Sequence, residues 1–396
     1  MNKTKQIIAL LAFALLSLNN IQAQVHGGRL PGIDTIGMLG QLLRDGSRPV
    51  LTGVPVLLIA PDSRAGAMGD VGVASAPDAN SIHWNAAKLA FAESQTDVTF
   101  TYSPWLRNMV PDISLSYLAG YYKVNDRSAI GASLTYFSLG DMKFTDEQQQ
   151  DRGTFSPNEF AIDVAYSMKL TDNFSASVTG RYIRSDLTQG QTVGTTPTFA
   201  AQAGAADVGF YYQNEIKGET PSSYALGLQI SNLGSKISYS DNTVKEFLPA
   251  NLRIGGRYTS NFDQFNEVSF MLDFNKLLVP TPAIYLDGEV VYGKAANVGS
   301  IQGALQSFSD APNGFREELQ EISISAGAEY WYRKFFAVRA GYFYENAKKG
   351  NRQYLTFGAG LKYNVMKIDI AYLVTTAKVS NNPLKNTLRV SLSFEI

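Results

Sequence analysis

The sequence predicts an all-β protein: a closed 14-stranded antiparallel transmembrane β-barrel preceded by an N-terminal hatch segment. Three observations carry this prediction. The chain begins with an apolar leader, most of it consists of long segments in which apolar and polar residues alternate, and the loops between these segments alternate in length.

Residues 1–23 have the three parts of a cleavable secretory signal. Lys3 and Lys5 supply the positive start, residues 7–18 are apolar, and Ala23 ends a short stretch suited to cleavage. The alternative is a retained membrane anchor, although the apolar run is shorter than the ~20 residues that a spanning helix needs. The chain has no cysteine, which excludes disulfides and a lipid anchor on a cysteine.

The composition excludes two classes of protein. The net charge of −1 argues against a nucleic-acid partner, because such proteins usually present a strongly basic face. Beyond the leader no apolar run is long enough for a spanning helix, which excludes a helical membrane protein. The 21 tyrosines and 22 phenylalanines are instead typical of a barrel with aromatic girdles.

The alternation itself predicts strands with one apolar and one polar face. In residues 160–168 the even positions are bulky and apolar, and residues 388–396 repeat the pattern to the end of the chain. Fourteen such segments are present, an even number, which places both ends of the barrel chain on one side of the membrane. They lie near 96–103, 111–123, 127–139, 158–170, 172–184, 200–213, 222–232, 250–259, 265–275, 321–332, 335–345, 352–363, 366–375 and 386–396.

The lengths of the loops predict which end of the barrel faces the periplasm and which faces outside. Short connections at 125–126, 333–334 and 364–365 alternate with longer ones, of which 276–320 is the longest. Short turns of such barrels face the periplasm and long loops face outside. The sequence therefore predicts a barrel over 96–396 in the cell outer membrane, with loop 276–320 extracellular.

Charged residues fall on the polar phase of several strands. We expect a solvated lumen lining, with a defined ligand or conduction site as the alternative, since fourteen strands enclose more space than their own side chains fill. These residues are Arg181, Arg253, Arg257, Asp273, Arg339, Lys362 and Asp369.

Residues 24–95 lack the strand pattern and are broken by proline and glycine. We interpret this segment as a plug inside the barrel, with a separate periplasmic domain as the alternative.

No catalytic or metal-binding constellation is evident, so the sequence predicts neither an enzyme nor a cofactor. The two histidines, His26 and His83, both precede the first strand, whereas a catalytic triad on the wall would need a wall histidine. His83 is interpreted as a packing residue beside Trp84. Asp70 and Asp78 remain open as acids. The glycines of 66–72 lack a P-loop lysine, and we expect them to permit a tight bend against the wall.

Two blocks of the hatch resemble the opening of the PorV (LptO) family, outer-membrane components of the type IX secretion system of Bacteroidetes, within the FadL-like barrels. They span 57–74 and 78–91, and 307–319 also looks characteristic of the family. The wider group has Asn-Pro-Ala where this chain has Asn85-Ala86-Ala87, which puts the turn there in doubt. The motif residues are Asp62, Arg64, Gly66, Met68, Gly69, Asp70, Trp84 and Asn85.

The resemblance implies a non-enzymatic function in secretion. Such proteins bind the C-terminal signal domain of secreted cargo at the translocon barrel protein and pass the cargo to a sortase-like attachment complex, among membrane lipids and lipopolysaccharide. Two alternatives stay open: a FadL-like channel for hydrophobic small molecules, and a lipopolysaccharide-modifying deacylase.

The loop 276–320 is the candidate docking surface. It is too apolar and aromatic to be disordered, and 312–320 predicts a short helix. A lid that packs only on its own barrel is the alternative. The candidate anchors are Tyr285, Tyr292, Phe308, Phe315 and Leu319, because aromatic anchors dominate interfaces.

Overall fold

In the computed structural model, fourteen antiparallel strands close into one barrel. The structure describes residues 46–104, 112–145, 151–193, 196–218, 220–241, 245–377 and 387–396. The predicted signal, 1–23, and the start of the predicted plug, 24–45, lie outside these residues. The barrel strands β1 to β14 span Thr96–Pro104, Ser114–Asn125, Ser128–Ser138, Asn158–Lys169, Phe174–Asp186, Ala201–Ile216, Ser222–Gly234, Asn251–Asn261, Asn266–Leu277, Ile322–Tyr332, Phe336–Tyr344, Gln353–Tyr363, Met366–Thr375 and Leu388–Glu395.

Closure is made by the first and last strands. Thr99 pairs with Ser393 in the β1–β14 ladder, and Thr96 and Ile396 exchange backbone hydrogen bonds of 2.9 and 2.8 Å. A spanning sheet needs this closure because an open edge in hydrocarbon would leave N–H and C=O groups unpaired. The fourteen predicted segments are confirmed, and their ends agree with the strands to within three residues.

The period-two pattern separates lipid from lumen as predicted. In β4, Ile162, Val164 and Tyr166 are exposed on the outer face, whereas Asp163 and Ala165 between them are buried. The outer face is therefore apolar and is not covered by protein, which suits contact with lipid rather than with water.

The two ends of the barrel differ in their connections. One end, here the short-turn end, carries turns such as 126–127, 333–335 and 364–365 together with Thr96 and Ile396. The opposite, long-loop end carries three hairpins that the alternation did not predict. They pair Met142–Thr145 with Asp151–Phe155, Thr192–Val193 with Thr196–Pro197, and Ile284–Leu286 with Glu289–Tyr292.

Residues 47–95, here the hatch, run down the lumen from the long-loop end to the short-turn end. At the top the Arg48 amide donates to the carbonyl of Lys348, and at the bottom Lys123 donates to the carbonyl of Ala92, 2.8 Å away. The hatch contains two short helices, α1 (Ser63–Gly66) and α2 (Ser81–Trp84), and two 3-10 turns, Pro55–Leu58 and Ala86–Phe91.

Residues 278–321, here the cap, connect β9 to β10 at the long-loop end. They contain helices α3 (Ser300–Gln306) and α4 (Phe315–Gln320). The second lies within the helix predicted over 312–320, and it begins later because Gly314 adopts a φ of 62°, outside the helical region. Among the described residues, no helix has the length and apolarity to cross a membrane.

Candidate functional site

The lumen is crossed by ion pairs between hatch and wall. Arg64 of α1 donates to Glu329 of β10 at 2.7 Å and to Asp78 of the hatch at 3.0 Å. Glu329 also accepts from Arg339 of β11 at 2.6 Å, and Arg339 reaches Asp369 of β13 at 2.7 Å. All five side chains are buried, so each charge depends on its partners rather than on water.

A second buried cluster lies on the opposite wall. Arg181 of β5 pairs with Asp163 at 2.6 Å and with Asp207 at 3.2 Å. Asp207 also accepts the Asn232 amide at 2.7 Å, where β7 carries an extra residue against β6 and Asn232 adopts a φ of 58°. The bulge thus turns a backbone donor of the wall towards a lumenal carboxylate.

The expected solvated lining is wrong for most of the wall charges. Arg181, Arg253, Asp273, Arg339 and Asp369 are buried, because the hatch occupies the space that water was expected to fill. Asp273, for example, accepts the backbone amides of Gly72 and Val73 at 2.7 and 2.9 Å. Arg257 and Lys362, nearer the short-turn end, keep partial exposure.

The hatch motif residues organise this interior. Asp62 caps α1 by accepting the Ala65 amide at 2.8 Å, and its other oxygen accepts the Trp84 indole N–H at 2.6 Å. One carboxylate therefore joins the two motif blocks of the hatch, through residues that are 22 positions apart. Asp70 accepts the Tyr354 hydroxyl of β12 and lies 3.4 Å from Arg389 of β14.

The bend predicted at the glycines is confirmed. Gly69 has a φ of +69°, and a Cβ there would lie 2.6 Å from the backbone oxygen of Tyr342. A Cβ on Gly66 would overlap the Arg389 guanidinium at 2.2 Å. Met68, between them, is fully buried against Gly341 and Gly327 of the wall. Glycine is therefore needed in the hatch, at Gly69, and in the wall, at Gly327 and Gly341, because a Cβ at these positions would meet backbone atoms.

The turn left in doubt by Asn85-Ala86-Ala87 is intact. Asn85 caps the following 3-10 turn by accepting the Ala87 amide at 3.1 Å, and its side-chain amide donates to the carbonyls of Val73 and Phe210. Ala86 occupies the first helical position, where proline is also well suited, so alanine and proline are both compatible with this turn.

Two hatch residues differ in how well the sequence anticipated their surroundings. Lys88 is fully buried, and no carboxylate of the described residues lies within hydrogen-bond distance of it. Its ammonium donates to the Gly72 carbonyl at 2.7 Å and to Ser75 Oγ at 2.9 Å. No pattern in the sequence indicated this. His83 stacks edge-on against Trp84, with ring centroids 4.8 Å apart, as its interpretation as a packing residue expects.

A small cavity remains between the hatch and the cap. Its volume is ≈ 60 Å³, and charged or polar groups of Asp70, Arg253, Glu321 and Lys349 line it beside Trp84. That space suits a few ordered waters, since one water occupies at least ~10–15 Å³ measured in this way. Among the described residues, no group of three acidic or histidine side chains could hold a metal ion.

The cap is anchored by acids on its inner side. Glu317 of α4 pairs with Arg48 of the hatch and with Lys349 of the β11–β12 loop, both at 2.7 Å. Glu318 and Glu321 pair with Lys276 at 2.9 and 2.6 Å. Burial acts to raise the pKa of Glu317, but the hydrogen bonds from Arg48 and Lys349 outweigh it and hold that pKa at about 2.

The outer side of the cap is apolar and exposed. Phe315 and Leu319 lie four residues apart on α4, on the face opposite its buried acids, and are 63% and 52% exposed. Phe308 and Tyr285 are also exposed, and Tyr292 is partly buried in the hairpin opposite Ile284.

Sequence reasoning missed two residues of this surface. Ile301 and Leu305 of α3 are 75% and 71% exposed, the most open apolar side chains of the cap. The spacing of Ile301, Leu305 and Phe308 is that of one helical face, which is the signal that could have found them.

A family model described as "Type IX secretion system protein PorV" matches residues 43–284, more than half of the chain. The chain belongs to the PorV family. The match includes the hatch and the strands up to β9, so the resemblance seen in the hatch motifs is confirmed. The closed barrel and the family together place the protein in the outer membrane, as a component of a secretion system.

Solved structures with similar folds match most of the chain at low sequence identity. The Ralstonia pickettii toluene transporter TbuX is 14% identical, with a TM-score of 0.46, and the match covers 85% of this chain and 98% of TbuX. A Pseudomonas aeruginosa FadL homologue is 11% identical, with a TM-score of 0.42 and coverage of 88% and 99%. A comparison with curated protein sequences returned no match.

Proposed function

We propose that this protein is a non-enzymatic docking barrel of the type IX secretion system. It binds secreted cargo through the cargo's C-terminal signal domain at the translocon barrel protein, and it carries the cargo to the sortase-like attachment complex. The observation that carries the proposal is the two-sided cap: buried acids fix α4 to the barrel, while Phe315 and Leu319 on the opposite face contact solvent.

The geometry of α4 supports docking over a self-contained lid. A lid that packed only on its own barrel would bury its apolar side chains and expose its charges. Here Glu317 and Glu318 are buried, and Phe308, Phe315 and Leu319 are exposed. Apolar side chains held outward on an anchored element match the aromatic anchors that dominate protein interfaces.

The lumen favours docking over a channel for hydrophobic molecules. Binding pockets for such ligands are mostly apolar and usually ~300–1,000 Å³ in size. The cavity above the hatch is ≈ 60 Å³ and is lined by ion-paired side chains such as Lys349 and Glu321. A larger cavity of ≈ 590 Å³ at the short-turn end is also lined by charged side chains, among them the ion pair of Lys367 and Glu395, so neither cavity is mostly apolar. We therefore propose that the hatch acts as a plug, with the long-loop end facing the cell surface.

The test is capture of a purified C-terminal signal domain by the detergent-solubilised barrel. We expect the Phe315→Ala, Leu319→Ala double variant to lower capture by about tenfold or more, since interface anchors each contribute ~2 kcal/mol. Phe262→Ala is the matched control, because Phe262 is 62% exposed on a turn at the opposite end.

Both variants must run as folded barrels on unboiled gels for the comparison to count. Equal capture by the double variant and the wild type would refute docking through α4. Fatty acid or another apolar small molecule bound in the lumen of the purified protein would favour the channel instead.

A further inference from the structure

A groove of ≈ 540 Å³ opens on the barrel surface at the long-loop end, between the β5–β6 and β7–β8 loops. Phe199, Gln202, Lys236, Asp241 and Lys245 contribute to its lining. Its size lies within the range of binding sites for small molecules and headgroups.

The groove lies on the outer wall rather than in the lumen. Residues 235–240 extend that wall beyond β7: Ser235 donates to the carbonyl of Gly204, and Phe199 donates to that of Tyr239. Ile237 is fully buried in the cluster that contains Val54 of the hatch. Side chains alternate along an extended segment, so Lys236 points to the outside.

The lipid-facing side of β6 shows at which level of the membrane the groove lies. At its short-turn end, Tyr212 packs against Tyr224 with ring centroids 6.0 Å apart, as in an interfacial girdle. From Tyr212 to Gln202 a tilted strand rises ~25 Å, about the height of the apolar band. Gln202 accepts the Tyr182 hydroxyl at 2.9 Å, at the second interface. The groove therefore opens at the level of the lipid headgroups.

The charge of the groove is positive. Lys236 places its ammonium 3.9 Å from the centre of the Phe247 ring, and burial lowers the pKa of that ammonium. Among the described residues, neither Lys236 nor Lys245 forms an ion pair with a carboxylate. Asp241 is the one acidic residue among the described lining residues, which include two lysines.

We propose that this groove binds the phosphate of a phosphorylated lipid headgroup in the outer leaflet, through Lys236 and Lys245. Phosphate is the anion present at this depth, and a partly desolvated ammonium binds it more strongly than a fully hydrated one does. The inference rests on the outer-membrane location and on the long-loop end facing outward, and is independent of cargo docking.

The experiment is native mass spectrometry of the full-length barrel in detergent, titrated with diphosphorylated lipid A. We expect the Lys236→Gln, Lys245→Gln double variant to bind about tenfold more weakly than the wild type. The matched control is Lys217→Gln, Lys334→Gln, which removes two exposed lysines from the short-turn end. Unboiled gels report folding of all three proteins.

Two further arms define the ligand. Lipid A from which both phosphates have been removed should bind weakly to the wild type, and a large excess of inorganic phosphate should fail to displace the phosphorylated lipid. Retention of lipid by the double variant at the wild-type level overturns the site. Equal binding of the dephosphorylated lipid, or displacement by inorganic phosphate, overturns its assignment to a phosphorylated headgroup.

Discussion

Arg64 and Glu329 form a two-pronged ion pair between the hatch and the wall, with Nη2–Oε1 and Nε–Oε2 distances of 2.7 and 3.0 Å. The two residues are 265 positions apart in the chain. The pair is buried, and Arg339 donates to the same carboxylate from β11. Glu329 is thus the point at which the hatch is joined to two neighbouring strands of the wall.

The first prediction concerns this pair. Arg64→Met leaves Glu329 with Arg339 alone and removes the hatch from the network, so we expect a loss of about 3–5 kcal/mol of unfolding free energy, as for other broken buried pairs. Thermal or denaturant unfolding of the barrel in detergent measures it. The control is Arg184→Met, which removes the partly exposed pair with Asp186 and should cost at most about 1 kcal/mol.

Arg64→Met and Arg184→Met proteins of equal stability would show that the interior ion pairs do not hold the hatch.

The second prediction concerns the bend at Gly69. Gly69→Ala meets a positive φ and the backbone of Tyr342, so we expect the hatch to be displaced and trypsin to cleave it faster in the intact barrel. Gly190→Ala separates the two causes: its φ is also positive, at +76°, but no atom of the described residues lies within 4 Å of the added Cβ. It should cost only the ~1–2 kcal/mol of backbone strain. Similar protease sensitivity in both variants would mean that the contact with Tyr342 is unimportant.

The third prediction tests the plug. In planar bilayers the intact protein should show little or no steady conductance, because the hatch contacts the wall along the lumen and leaves a cavity of only ≈ 60 Å³ beneath the cap. Deletion of residues 24–62 removes the entry of the hatch at the long-loop end and should raise conductance. A large open pore in the wild type, unchanged by the deletion, would exclude the plug.

The fourth prediction concerns the pH dependence of the cap. The pKa of Glu317 falls from 4.5 to about 2 in the folded protein. Its pairing therefore stabilises the cap fully above about pH 4.5, and this contribution is lost as the pH falls through about 2. We expect protease cleavage within 278–321 to increase over that window.

Glu317→Gln should make the cap labile at neutral pH as well, because Arg48 and Lys349 lose their shared carboxylate. Glu289→Gln, an exposed position on the cap hairpin, serves as the control and should behave as wild type. An unchanged cleavage rate for Glu317→Gln across pH 2–7 would contradict the anchoring role.

The architecture could be predicted because it depends on short-range sequence patterns. Period-two alternation in segments such as 160–168 reports which face of a strand meets lipid, and turn lengths report the ends of each strand. The glycines at 66–72 could likewise be interpreted as a bend from their residue type alone. These features depend on neighbours in the chain, and the fourteen strands follow from them.

The state of the lumenal charges depended on the tertiary structure. The sequence by itself determined that Arg339 and Asp369 face inward, but it was silent on whether water or protein meets them there. Only the folded chain brings Arg64 to Glu329 and Glu317 to Arg48 and Lys349. Such pairs join residues that are distant in sequence, and their burial depends on how the hatch fills the barrel. The hatch also explains the orientation of α4. Its acids could be buried on the rim because they are paired with cations, and Phe315 stays outside because the filled barrel has no wall left to cover the apolar face.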